Sequence, residues 1–461
     1  MTTAPDSPNV SNKRNRRRLW LGVLAVLLGL GIWQGLYWAR YLHLASGYAA
    51  KVAASGLFVA GRDLEQLRTH ELKPFAILDV EVDEENREVH VSAFGLFGQT
   101  ARHRPGLGAT LVHDDSELSG PARLESAEGV EAIRLPESSL DRLHLAALNQ
   151  SVEFAFRDLD PEHPWNTRAV VILQNGEVLI ERYGDSTGPD TLLHGWSMTK
   201  TVTGVLCGLA VKDGRLRVES QAPVPGWEQD GRSAITLEHL LRMTTGLDFE
   251  ESYSKPGSDA LRMLFDSHDM PAFVATRPLE HAPGSNWSYS SGDSLLLSGI
   301  LRRTYGEANF EFARDRLFAK VGMHSARLEF DGAGNAVGSS MCWANARDWA
   351  RFGEFLREGG RVADEQIVPE GWIDWMATPT PESENGSFGA HLWVNAGVPN
   401  TNQCAWPSVP RDLFWCAGFE GQFVVVAPSR NAVIVRLGQT FGEPTFPIEP
   451  FVAGVLSALP D

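Results

Sequence analysis

The sequence predicts an α+β domain, an antiparallel sheet carrying a mostly helical insertion, behind one apolar helix of membrane-spanning length. Three observations predict it: two β-rich hairpin patterns far apart in the chain, capped helical patterns between them, and an uncharged run of 21 residues near the N-terminus. With 461 residues, 43% of them hydrophobic and 21% charged, the chain can bury a large core and has no bias towards disorder. Its net charge of −17 argues against binding a phosphate backbone as the main task, so no nucleic-acid partner is expected.

That charge is unevenly placed. Residues 1–18 hold Lys13, Arg14, Arg16, Arg17 and Arg18 against Asp6 alone, a basic tail that stops where the apolar run Leu19–Ala39 begins. As a helix the run spans about 31 Å, close to the hydrocarbon thickness of a bilayer. Trp20 lies at one end and Tyr37 and Trp38 at the other, where amphipathic rings prefer to sit. The expectation is a single-pass anchor in the cytoplasmic membrane, with residues 1–18 inside and everything after Arg40 on the periplasmic or extracellular side. A cleaved signal peptide is the alternative, with small residues around Ala45–Ala50 as the cleavage site.

Residues 40–75 read as a helical or irregular connection, and residues 40–160 as an accessory layer. Within it, Ala76–Asp83 and Glu88–Phe94 alternate as a hairpin across the polar turn 84–87. Pro161 and Pro164 mark the boundary to a main domain over residues 161–461. There RAVVILQNGEVLIERY (168–183) forms a hairpin about Asn175-Gly176, a pair suited to a type I′ turn, and QFVVVAP-SRN-AVIVRLG forms another near the C-terminus. Helices are expected from Ser197 to Lys212, from Thr236 to Met243 and from Ala346 to Gly359. Cys207, Cys342, Cys404 and Cys416 include no CxxC pair, although an exported chain permits a Cys404–Cys416 bridge. No GxGxxG, P-loop or HExxH pattern occurs, so no cofactor and no metal are expected.

The main chemical candidate is HGWSMTK, His194–Lys200. Ser197 and Lys200 stand three apart at a helix start and share one face. A serine hydroxyl needs a base, and a lysine serves only when burial or positive neighbours pull its amine well below the usual value near 10.4. Gly204 and Gly208 follow Lys200 at four-residue steps and let other chain approach that face. Spacing alone also allows an N-cap serine beside a surface lysine, and Ser252–Lys255 repeats it before a helix-breaking Pro256-Gly257. Two further segments bear on this choice. PGSNWSYSSGD (283–293) presents Tyr289 and Ser291 from a loop, as a proton relay or as core ring and helix cap. CAGFEGQFVVV (416–426) offers Gly418 for close approach and the Phe419 amide as an oxyanion donor, or reads as a strand with a bulge.

Taken in order, WSMTK, Tyr289-Ser290-Ser291 and Cys416-Ala417-Gly418 resemble the penicillin-recognising serine hydrolase family of class C β-lactamases, DD-peptidases and related esterases, nearest the 6-aminohexanoate-dimer hydrolase branch. LLRMTTGLDF, ARDWARFG and the GFEGQ-strand-PSR-strand ending extend the resemblance over about residues 165–440. It implies a five-stranded antiparallel sheet flanked by helices beside a helical region, with the site between them. It also implies that Ser197 is acylated, that Lys200 takes its proton, that Tyr289 assists, and that the Ser197 and Phe419 amides hold the oxyanion. His194, Trp196, Ser291, Cys416 and Gly418 then stand as substrate-binding candidates, and Trp287 and Trp343 as cleft walls. The third element departs from the family: Cys416 stands where a basic residue helps bind a substrate carboxylate, with Arg411 or Arg436 as possible substitutes. The reading is an exported, anchored serine hydrolase of small esters or linear amides. A β-lactamase or DD-peptidase-like enzyme and a non-catalytic cell-envelope scaffold are the alternatives, and the sequence leaves the oligomeric partner unspecified.

Overall fold

The computed structural model describes residues 10–113, 116–124, 140–158, 160, 163–442 and 445–460, with side chains from Arg18 onwards. Lys13, Arg14, Arg16 and Arg17 of the basic tail, and the boundary residue Pro161, lie outside the described side chains. The first element, α1, is one 49-residue helix, Val10–Phe58, about 74 Å long. Its apolar stretch from Leu19 to Trp38 is exposed throughout, and among the described residues this is the one helix long and apolar enough to cross a membrane. No irregular connection follows. The same helix runs on into the protein, where Ala45, Ala49, Ala50, Val52, Ala53 and Ala54 are buried. These small side chains let neighbours come close: a Cβ on Gly47 would sit 2.5 Å from the Phe265 carbonyl oxygen.

The buried half of α1 is covered by a four-stranded antiparallel meander, β1 (Asp79–Asp83), β2 (Glu88–Ala93), β3 (Leu96–Arg104) and β4 (Gly108–Val112). The expected hairpin is here, with Val80 opposite Val91 and Val82 opposite Val89. Val89 and Val91 are fully buried in the core that α1 shares.

The main sheet follows from two runs that are apolar on both faces. Its strands are β5 (Thr167–Gln174), β6 (Glu177–Tyr183), β7 (Trp393–Val394), β8 (Phe414–Gly418), β9 (Gln422–Ala427) and β10 (Ala432–Gly438). They lie in the order β7-β8-β9-β10-β5-β6, antiparallel throughout, so the first hairpin and the last meet in the middle with Ile172 opposite Ile434. Asn175 and Gly176 both take positive φ, as a type I′ turn requires. The sheet has six strands where five were expected. The extra one, β7, stops after two residues because His391 is left-handed before it, and after it the Asn395 side chain ties the chain to Trp406.

Period-2 alternation splits β5 between two cores. Ala169, Val171 and Leu173 face the larger core, together with α3 (Met198–Lys212) and α6 (Ala346–Arg357). Val170 and Ile172 face a second core closed by α2 (Arg142–Ala155) and α7 (Ile448–Ala458). Thus α2, from the segment read as accessory, packs on the main sheet itself. Two more helices complete the frame needed below, α4 (Asp259–Asp266) and α5 (Ser291–Tyr305). The architecture is α+β, an antiparallel sheet with flanking helices, as the resemblance implied.

Candidate active site

Ser197 ends a tight turn that opens α3. Trp196 before it is left-handed, at φ 48°, a conformation that costs a bulky residue about 1–3 kcal/mol and needs support from its surroundings. That support is aromatic: Tyr48 of α1, His194 and Phe419 all lie against the Trp196 ring. The Ser197 hydroxyl makes no capping bond to the helix, which leaves it available. One turn on, Lys200 is 2% exposed. Its Nζ donates to Ser197 Oγ at 3.1 Å, to Ser291 Oγ at 2.9 Å and to the Ser339 carbonyl at 3.1 Å. The glycine face of α3 is approached as its spacing predicts, for a Cβ on Gly208 would lie 2.5 Å from Trp372 Nε1.

All three Lys200 partners are formally neutral, so little offsets the cost of burying an ammonium. Burial pulls its pKa down to about 8, with the charge of Glu251 working the other way. Glu251 sits behind Ser291, accepting from its backbone N–H at 2.7 Å and its hydroxyl at 2.5 Å, and burial pushes its own carboxyl up. At about 8, roughly one Lys200 amine in ten is neutral at pH 7. That fraction is enough for a base that needs no metal and no histidine.

The loop before α5 delivers Tyr289. Its ring stacks on Trp393 and lies 4.9 Å from Lys200 Nζ, over the π face. Burial pushes the phenol up, while a hydrogen bond with Ser197 acts in the opposite direction. Ser290, next in sequence, caps α5 by accepting from the Asp293 N–H and so fixes where the loop ends.

From the sheet side, β8 touches the turn that leads into Ser197. A Cβ on Gly418 would stand 2.2 Å from the Gly195 carbonyl, which is why only glycine fits there. β8 and β9 are joined by the three-residue turn Phe419–Gly421, in which Glu420 and Gly421 both take positive φ. Arg436 holds this turn from below, donating to the Gly421 carbonyl at 2.7 Å and the Trp165 carbonyl at 2.6 Å. Burial, together with the nearby charge of Glu71, pushes the Glu420 carboxyl up to about 8.

Ser197, Lys200, Tyr289 and Gly418-Phe419 therefore converge. Four other candidates do not line the cleft as substrate-binding side chains, because packing has claimed them. Ser291 is fully buried between Lys200 and Glu251, and Trp196 is buried under Phe419. Cys416 points into the core, where burial pushes its thiol up to about 12, unsuited to nucleophilic work. His194 stacks on Trp343 at 4.5 Å and bonds the Ser340 carbonyl through Nε2; burial takes its ring down to about 3. Trp343 is likewise buried in that stack, whereas Trp287 packs on Phe388 and Trp393 beside Tyr289. Cys404 and Cys416 are free thiols, so the permitted bridge is not formed. Arg436 is spent beneath the turn, and Arg411 bonds the Ala396 carbonyl on the surface. Glu251 and Ser339 were not foreseen. Each lies in a loop without periodicity, and only the acidic run around Glu251 offered any signal.

Comparison with known proteins decides the family. The β-lactamase family model matches residues 162–455, well over half the chain. The chain belongs to the β-lactamase family. A curated relative, the 6-aminohexanoate-dimer hydrolase of Paenarthrobacter ureafaciens, is 27% identical over 299 residues, 59% of this chain and 72% of its own length. A solved structure provisionally named as a 6-aminohexanoate-dimer hydrolase, from Bacillus anthracis, superposes with a TM-score of 0.57 at 19% identity, over 75% of this chain and 92% of that one. A penicillin-binding protein homologue from Caulobacter crescentus gives 0.54 at 19% identity, over 70% and 98%. At these identities the two structures speak for the fold. With its family established, this β-lactamase-family chain is a serine hydrolase in the broad sense, near the aminohexanoate-dimer hydrolase and esterase branch.

Proposed function

We propose that the chain hydrolyses small esters or linear amides through an acyl-enzyme on Ser197, and that Leu19–Ala39 anchors it with the catalytic part outside the cytoplasmic membrane. One observation carries the chemistry: a buried lysine whose hydrogen bonds go to two hydroxyls and a carbonyl, one of them the Ser197 Oγ at 3.1 Å. Neutral Lys200 takes the Ser197 proton as Oγ attacks the substrate carbonyl. The negative charge that develops on the carbonyl oxygen is met by the Ser197 and Phe419 backbone N–H groups. Tyr289, over the lysine, passes the proton to the departing alcohol or amine. Water then attacks the acyl carbon, and the proton it loses returns through the same groups as Ser197 is released. The preference for an ester or linear amide rests on Cys416, a buried thiol at the position where a cation would otherwise receive a carboxylate.

A β-lactamase or DD-peptidase-like activity is the second reading, favoured by the breadth of the family match and by the penicillin-binding protein homologue among the structural relatives. A fluorophosphonate probe on detergent-solubilised protein should label Ser197 and leave Ser197→Ala unlabelled. Folded wild-type protein that refuses the probe would point to the non-catalytic scaffold. A panel of p-nitrophenyl esters, linear amides and a chromogenic lactam then separates the two enzymatic readings, faster lactam turnover reversing their order.

A further inference from the structure

Far from Ser197, the accessory meander carries an unusual turn. β2 and β3 are joined by Phe94 and Gly95, with Ala93 opposite Leu96 and both turn residues at positive φ. Asparagine or glycine ordinarily fills the first of these positions, and phenylalanine is strained there. The ring gains no packing in return: Phe94 is 73% exposed and Leu96 62%. Ile77, 63% exposed, lies two residues before Asp79, which pairs with Ser92, and so stands at the same end of the sheet as the Phe94-Gly95 turn. Three large apolar side chains thus share one rim of the sheet.

The direction of that rim is fixed by α1. His43 is hydrogen-bonded to Gln99 of β3, and Lys51 bonds the carbonyl of Ala109, the register partner of His103. Eight helix residues and four strand residues separate these two contacts, about 12 Å and about 13 Å, so helix and strand run nearly parallel and in the same sense. Going back from Gln99 to Gly95 is another four strand residues, about 13 Å, equivalent to about nine residues of α1. That brings the tip level with Gln34, inside the apolar run that ends at Ala39.

We propose that the Phe94–Leu96 tip, with Ile77, inserts into the outer leaflet of the membrane beside the anchor, a second contact that fixes the tilt of the protein on the bilayer. The proposal rests on the reading of Leu19–Ala39 as an anchor. An apolar tip at that height meets the headgroup and upper acyl region, where partial insertion of aromatic and aliphatic side chains is favourable.

The test uses the full chain on a Cys404→Ser background, whose remaining cysteines are buried. Single cysteines introduced by Phe94→Cys, Leu96→Cys, Ile32→Cys and Asp364→Cys are labelled with an environment-sensitive fluorophore. Each variant is reconstituted in phosphatidylcholine vesicles with and without acyl-chain spin-labelled lipid. The expected result is blue-shifted emission, most of it lost to the quencher, at positions 32, 94 and 96 but not at 364. Quenching at 32 with unquenched labels at 94 and 96 overturns the tip while the anchor stands. An unquenched label at 32 overturns the anchor and the tip with it.

Discussion

Among the described residues two lysines are buried, and they differ in what faces them. Lys51, on the inward half of α1, is 3% exposed and bonds Glu329 Oε2 at 2.5 Å, while the other Glu329 oxygen takes Ser55 Oγ and the Ala109 N–H. Charge meets charge, every lone pair in use is filled, and burial lowers the Lys51 amine against the opposing pull of Glu329. Lys200 is equally buried but meets hydroxyls and a carbonyl, its nearest named carboxylate standing behind Ser291. The first lysine is a fastener, joining α1 to β4 and, through Glu329, to the family-matched part of the chain. The second is kept ready to give up its proton. Burial alone distinguishes neither, and the partner does.

The largest test of that contrast swaps the consequences. Lys200→Met should lower ester turnover by about 10²–10⁴-fold, as loss of a general base does, while shifting stability by no more than about 1 kcal/mol. Turnover assays and thermal denaturation read the two effects separately. Lys51→Met should do the reverse, costing about 3–5 kcal/mol by stranding Glu329 in the core while probe labelling of folded protein persists. If Lys51→Met were thermally silent, the fastener would have to be given up. The double change Lys51→Met with Glu329→Gln should recover most of that loss, since no buried charge is then left alone.

A pH profile sharpens the other half. Only neutral Lys200 accepts a proton, so kcat/KM for a neutral ester should rise with pH through about 8 and level off above it. Glu251 holds the ammonium form in place, and Glu251→Gln should therefore move the midpoint to lower pH. A midpoint that stays still would remove Glu251 from the account of the base. The smallest effect belongs to Cys416→Ala, expected to cost about 1 kcal/mol and to leave Ser197 labelling intact, as suits a thiol that only fills space.

Much of this was legible in the residues. The turn at Asn175-Gly176, the helix opening at Ser197 and the glycine face of that helix all follow from local rules, and the three motif segments meet as their order suggested. What escaped depends on distant parts of the chain. Nothing around Lys51 announces Glu329, 278 positions away, and the alanine-rich stretch after Arg40 reads as a connector until a sheet is seen packed on it. Ser291 looked like a pocket residue because a loop serine before a helix can face either way; Glu251, unremarkable in an acidic run, turned it inward. Cys416 and Trp196 failed as lining residues for a similar reason, as the faces they occupy were filled by α3 and by Tyr48.

The unbroken course of α1 has a mechanical consequence. Proteins tethered by a flexible leash sample a wide shell of orientations, but a helix without a joint behaves as a mast. With Leu19–Ala39 seated in a bilayer, the mouth of the cleft would keep one height and one heading above the lipid surface, and substrates would have to arrive at that station.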